Sequence, residues 1–179
     1  MTLATRPLDA ALELARGITP QLAELADPID LGIEPASTAY ALIRESGLLA
    51  AMIPQHCGGL GLDFGSYTEL LAELGAANGA IALGFNMHNV AIGSLFEADA
   101  DALGENGIAF REWVIDQVVG QRRMFASAAS EPATGARLRG ISTTYERAPH
   151  GYILNGHKSF VSLAGVADHY VVTARPADT

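Results

Sequence analysis

Residues 110–130 read Phe-Arg-Glu-Trp-Val-Ile-Asp-Gln-Val-Val-Gly-Gln-Arg-Arg-Met-Phe-Ala-Ser-Ala-Ala-Ser. Phe110, Trp113, Val114 and Val118 recur at the spacing that puts side chains on one face of a helix. From about residue 124 that period is gone, and 125–130 is a short run that predicts a strand. The chain therefore divides here, with helices before the change and strands after it. This is an α+β pattern, with a helical domain over 1–122 and a β-domain over 123–179.

Upstream, Leu8, Ala11, Leu12, Ala15, Ile18, Leu22 and Leu25 keep helical spacing, and Thr19-Pro20 predicts a break or kink within that run. A second helix is expected over 36–46, ending at Gly47. A third is expected to start at Ser66 as N-cap with Glu69 as its capping-box partner, presenting Tyr67, Leu70, Leu71 and Leu74 on one face. Gly75 and Gly79 predict a break before an apolar helix over 80–96. Downstream, 139–147 alternates, with Ile141, Thr143 and Tyr145 on one side, and Pro149-His150-Gly151 reads as a turn. Tyr152-Ile153-Leu154 leads into Asn155-Gly156, a hairpin signal, and 158–163 and 169–174 read as further strands. Strands that stop with unpaired edges predict an incomplete sheet.

Composition narrows the function classes. The chain has 179 residues, 49% of them hydrophobic and 17% charged, which suits a packed core and not disorder. A net charge of −9 argues against nucleic-acid binding, which needs a basic face. The single cysteine, Cys57, excludes a disulfide framework and a zinc cluster within the chain and points to a reducing cytoplasm. Asp9, Glu13 and Arg16 make the N-terminal stretch an amphipathic helix and not a signal segment. Asn86, His88 and Asn89 make 80–96 too polar, as well as too short, for a membrane span.

Several tempting motifs fail. The glycine-rich run 58–65 has Phe64 where a dinucleotide fingerprint needs its third glycine, and it lies between helices, so it reads as a tight turn. The five histidines show no metal spacing, so no metal site is expected. His88 reads as a packed histidine with satisfied ring nitrogens, and the neighbours His56 and Cys57 do not aim both side chains at one point.

Three stretches carry a resemblance. Residues 45–62 read Glu-Ser-Gly-Leu-Leu-Ala-Ala-Met-Ile-Pro-Gln-His-Cys-Gly-Gly-Leu-Gly-Leu. Residues 126–135 read Ala-Ser-Ala-Ala-Ser-Glu-Pro-Ala-Thr-Gly, and 151–162 read Gly-Tyr-Ile-Leu-Asn-Gly-His-Lys-Ser-Phe-Val-Ser. In order and spacing they resemble the inter-helix turn, the Thr-Glu-Pro-x-x-Gly-Ser-Asp loop and the G-Y-x-(I/L)-N-G-x-K-x-W-I-T hairpin of the acyl-CoA dehydrogenase family. The resemblance covers roughly 5–175. It implies that the β-domain is the start of an antiparallel β-barrel, followed in the family by a second helical domain. That domain holds the glutamate that takes the α-proton in most members, so no catalytic residue is assigned here and the chain alone is expected to be inactive.

The resemblance also implies FAD as cofactor. Ala129 and Ser130 then meet the pyrimidine edge, with Ser127 and the loop glycine Gly135 nearby. Phe160 takes the place of the family's stacking tryptophan, and Ser162 that of the threonine near flavin N5. Glu131 matches a residue of the flavin loop and not the base. Leu83, Asn86 and Val90, on one face of the apolar helix, are expected to meet the acyl tail of an acyl-CoA substrate; the same spacing suits a plain core helix. Ala136-Arg137 replaces the family's Ser-Asp, so Ala136 cannot donate the serine's bond to the CoA part, and Arg137 is a candidate for a phosphate contact. The implied activity is oxidation of an acyl-CoA thioester to the enoyl-CoA in fatty acid metabolism, with an electron-transfer flavoprotein as acceptor, in a homotetramer or homodimer. The alternatives are a flavin-dependent monooxygenase of the same fold and a non-catalytic fragment or partner subunit.

Overall fold

The structure, a computed structural model, describes residues 6–177. Residues 1–5, which open the amphipathic N-terminal stretch and the span of the resemblance, and 178–179, which end the second domain, lie outside the described residues. Seven helices come first: α1 (Pro7–Glu24), α2 (Ala26–Asp30), α3 (Ala36–Ser46), α4 (Phe64–Ala77), α5 (Gly79–Ile92), α6 (Ser94–Glu97) and α7 (Ala100–Ile115). A π-helical turn at Asp116–Gly120 continues α7. Strands follow: β1 (Phe125–Ala128), β2 (Thr144–Ala148), β3 (Gly151–Asn155), β4 (His169–Val172) and β5 (Arg175–Pro176). The fold is α+β, as the change of period predicts. The strands form two small sheets and close no barrel: β1 pairs parallel with β4, while β2 pairs antiparallel with β3 and parallel with β5.

Several boundaries differ from the sequence expectation, each for a local reason. Pro20 does not end α1. It removes the amide that would bond Arg16 O, and the Thr19 hydroxyl lies 3.5 Å from that carbonyl and faces it in place of the missing donor. Helix α4 is capped by Asp63, whose carboxylate accepts from the Ser66 N–H at 2.8 Å, so Ser66 and Glu69 lie inside the helix and form no capping box. The strand expected over 139–147 begins only at Thr144, after a 3-10 turn at Leu138–Gly140. The tight hairpin turn is Pro149-His150, since Ala148 faces Gly151, and Asn155-Gly156 instead ends β3. No strand forms over 158–163. There the chain bends inward because Lys158 and Ser159 bond the β1 side of the molecule.

The core lies among the helices. Leu22, Ile43, Leu70, Leu74 and Phe85 are fully buried, and α1 packs on α4, α4 on α5, and α5 on β1. Burial of such a side chain stabilises by about 1.5–3 kcal/mol. Met124, Phe125 and Leu163 join the same cluster, so the strands share the helical core. The turn after α3 is as tight as its glycines predict. Leu60 and Leu62 donate back to Ala50 and Ala51 at 3.0 and 2.9 Å, and a Cβ on Gly59 would run into the Ile53 carbonyl. Among the described residues no helix is long and apolar enough to cross a membrane, and no group of His, Cys, Asp and Glu is arranged to hold a metal ion.

Candidate functional site

Strand β1 is the spine of the site, and two polar contacts hold it to the helices. His88, fully buried on α5, faces Leu49 O through Nε2 at 3.0 Å and accepts the Phe125 N–H on Nδ1 at 2.9 Å. A carbonyl can only accept, so Nε2 carries the proton and the ring is neutral. Burial lowers its pKa to about 4. His88 is the packed histidine the sequence predicts, and it bolts the helical region to the first strand. The second contact is Asp168, just before β4. Its carboxylate accepts from Arg44 on α3 at 2.6 Å, from Arg123 at 2.9 Å and from the Met124 N–H at 2.8 Å. Burial pushes this carboxyl up, but those donors outweigh it and hold the pKa at about 2.

Beyond β1 the chain runs into a polar lattice centred on Glu131. Its buried carboxylate accepts from the Ser142 hydroxyl at 2.6 Å, the Ser142 and Thr143 amides at 2.7 and 2.9 Å, and the Lys158 ammonium at 3.0 Å. The Ser142 hydroxyl, then the bonds at Thr143, hold the Glu131 carboxyl far below the usual carboxylate range. A carboxylate so fully engaged cannot serve as a base. Lys158 also donates to Ala129 O at 3.3 Å and Thr173 Oγ1 at 3.1 Å, and the Ser159 N–H donates to Ser130 O at 2.9 Å. Glu131 and Gly135 exchange reciprocal backbone bonds at 3.0 and 2.8 Å, closing the loop between them.

The lattice brings Ala129 and Ser130 against the segment that leads to Phe160 and Ser162. Phe160 has φ 56 and is 87% exposed, a left-handed backbone that a bulky residue adopts only under constraint. Ser162 is exposed, and the next residue, Leu163, is buried beside Gly84 of α5, where an added Cβ would stand 3.1 Å from it. Leu163 thus anchors the end of this segment on α5 at Gly84. Ser127 is half-buried within β1, and Gly135 lies exposed in the loop at φ 59. The Thr134 and Ser159 hydroxyls are buried without a hydrogen-bond partner among the described residues.

On α5, Leu83 and Val90 are 56% and 54% exposed and Asn86 is half-buried, while Ile81, Phe85, His88 and Ile92 fill the core. The three expected ligand residues therefore line the open face and not the core. Ala136 is exposed in the loop, and Arg137 Nε donates to Thr134 O at 3.2 Å, which commits it locally. The residues that sequence reading left without a role are Lys158 and its partners Ser142 and Thr173. One signal was present: Lys158 is the only lysine in the chain.

Residues 12–102 match the family model described as acyl-CoA dehydrogenase, N-terminal domain, and 126–179 match the one described as acyl-CoA dehydrogenase, middle domain. The chain is 30% identical over 138 residues to a mitochondrial isovaleryl-CoA dehydrogenase of Arabidopsis thaliana, covering 76% of this chain and 32% of that one. It is 26% identical over 164 residues to a 3-(aryl)acrylate reductase of Clostridium sporogenes, covering 91% and 42%. The chain thus spans less than half the length of these relatives. Among solved structures, TdsC of Paenibacillus sp. A11-2, a dibenzothiophene monooxygenase solved with FMN and indole, aligns at TM-score 0.66 and 28% identity over 97% of this chain and 40% of that one. KijD3, solved with FMN and a dTDP-linked keto sugar, aligns at TM-score 0.79 and 22% identity over 99% and 42%, which shows the shared fold.

Proposed function

The chain belongs to the acyl-CoA dehydrogenase family, and on that footing we propose that 127–135 and 158–162 form one wall of a flavin site in an oxidoreductase whose substrate lies along the open face of α5. The observation that carries this reading is the Glu131–Lys158 lattice. A buried ion pair contributes little net stability and is more readily understood as a positioning device. Here it pins Ala129 and Ser130 to the segment bearing Phe160 and Ser162. The residues fit a flavin: within these segments the buried Thr134 and Ser159 hydroxyls lack partners among the described residues, and a constrained aromatic ring stands open to a planar ligand. When bound, flavin supplies the redox chemistry. Ala129 and Ser130 then offer backbone and hydroxyl groups to its polar edge, Ser162 its hydroxyl, and Phe160 a ring face.

FAD is the proposed flavin, and titration of the chain with FAD and with FMN tests it. A perturbed visible flavin spectrum and saturable FAD binding are expected. FMN binding alone overturns the choice of FAD, and failure of both flavins overturns the site. For the whole protein we propose oxidation of an acyl-CoA thioester at Cα–Cβ with an electron-transfer flavoprotein as acceptor, in a cytoplasmic homo-oligomer; the relatives' names support the thioester. A second reading, a reduced-flavin monooxygenase, is favoured by Ala136-Arg137, which offers no hydroxyl at 136 and an arginine already bonded to Thr134 O. Mixing the reduced full-length holoenzyme with oxygen separates the two: slow reoxidation supports the dehydrogenase, and rapid reoxidation supports the monooxygenase.

A further inference from the structure

We propose that the cavity between α7 and the turn after α3 binds an α-amino acid with an apolar side chain, its carboxylate on Arg111 and its ammonium on Glu112. The site shares no residue with the proposed flavin wall and does not rest on the reading of that wall. The cavity holds about 330 Å³. A cavity of about 150 Å³ accepts one benzene ring, so this one has room for a ring and the backbone of one amino acid.

Among the described residues two arginines are half-buried, Arg44 and Arg111. Arg44 commits its guanidinium to Arg122 O, Asp168 and Val166 O at 2.9, 2.6 and 2.9 Å. Arg111 has no hydrogen bond or ion pair among the described residues, and it lines the cavity. A charge drawn partly out of water calls for a partner, and the planar guanidinium fork matches a carboxylate with two parallel bonds. The next residue, Glu112, is exposed, lines the same cavity and is equally unpaired, so the two do not bond each other. An unmet cation and an unmet anion thus stand on neighbouring residues of one helix. An α-amino acid carries its two opposite charges on one carbon. Its side chain then meets Ile115, one turn on from Arg111, and faces Pro54, Cys57 and Phe96. The Cys57 and Gly59 amides donate to Pro54 O at 2.9 and 3.2 Å, and a Cβ on Gly58 would stand 2.9 Å from Val119. The turn is therefore held against the end of α7, and the apolar wall is preformed.

Ligands with one charge fit less well. The cavity adjoins a groove of about 640 Å³ that shares Pro54, His56 and Phe96 and adds Asp63 and Glu97. With Glu112 these make three carboxylates around one arginine, which disfavours a ligand of net negative charge. A simple amine, in turn, leaves Arg111 unmet and is repelled by it. The exposed His56, on the boundary between cavity and groove, offers one ring nitrogen as donor and the other as acceptor when neutral.

The test is titration of the 179-residue chain at pH 7.5 with L-phenylalanine, 3-phenylpropanoate and 2-phenylethylamine, followed by the backbone amide NMR signals of Cys57 and Ile115. Phenylalanine is expected to shift both signals and to bind about tenfold more tightly than either singly charged probe. In Arg111→Gln its advantage over 2-phenylethylamine is expected to vanish, and in Glu112→Gln its advantage over 3-phenylpropanoate. Neither side chain makes a bond among the described residues, so both variants are expected to fold. No binding of phenylalanine, binding that leaves both signals unmoved, a singly charged probe that binds as tightly, or an advantage that survives its substitution each overturns the proposal.

Discussion

The helical and strand regions of this chain solve the burial problem differently. Large fully buried side chains come from the helical region except for Met124, Phe125 and Leu163, and those three pack into the helical core. Strand β3, by contrast, is exposed along its whole length, with Tyr152, Ile153 and Leu154 at 62%, 54% and 50%. A helix satisfies its backbone internally and needs a partner only for its apolar stripe. A strand needs a neighbour on each edge, and two small sheets leave edges open. The helical region can thus hold itself together, while the strand region depends on His88, Asp168 and the Glu131–Lys158 lattice for its shape.

The strongest attack on the helical side is Gly59→Ala, which drives a Cβ into the Ile53 carbonyl where only backbone movement can relieve it. A loss of about 3 kcal/mol is expected. Urea unfolding measures it, and an unchanged midpoint would show that the turn is not needed. Acid attacks the seam next. His88 has a folded pKa of about 4 against 6.5, so the unfolded chain binds the extra proton. Stability is full above about 6.5 and falls as pH drops toward 4, by about 3 kcal/mol. Asp168, lowered to about 2 from 3.8, adds its own loss below about 4. Thermal melts between pH 8 and 2 follow both.

Smaller effects separate the two regions further. His88→Leu leaves Leu49 O and the Phe125 N–H unpaired, with an expected loss of about 2 kcal/mol at neutral pH and a flatter acid profile above pH 4. A profile as steep as the native one would exonerate His88. Lys158→Met keeps the length of the side chain and removes the charge that ties Glu131 to Ala129 O. We expect native helix content by circular dichroism and flavin binding about tenfold weaker; unchanged flavin affinity would refute the positioning role. The smallest effect has the opposite sign. Phe160→Gly relieves a left-handed backbone and stabilises the chain by about 1 kcal/mol while weakening flavin binding. A destabilised variant would mean the ring packs against something in the chain.

The regions also differ in how much their sequence discloses. The period change near residue 124 and the helix at Ala36–Ser46 with its Gly47 stop are local patterns, and the structure follows them. The α4 cap lies at Asp63, three residues before the expected Ser66, because the Asp63 carboxylate takes the Ser66 N–H. Strand pairing was poorly legible. Asn155-Gly156 carries the stronger turn signal, yet Pro149-His150 makes the turn, since Lys158 and Ser159 are drawn to partners near residue 130. Residue types could not reveal that Glu131 and Lys158 meet, nor that Arg44 finds Asp168 while Arg111 has no partner among the described residues. Such pairs are set by tertiary placement, which no local period encodes.

The Arg44–Asp168 bond joins residues 124 positions apart. Closing so long a loop carries an entropic cost that must be met before the contact returns anything. The β1–β4 pairing that this bond anchors is parallel and sets Phe125 opposite His169, far along the chain, and such contacts form slowly. During synthesis from the N-terminus, α1 to α5 can pack before β4 leaves the ribosome, whereas β1 must wait for it. The wall proposed to hold flavin is therefore the last part of this chain to mature, and for that interval its strand edges are exposed to other chains.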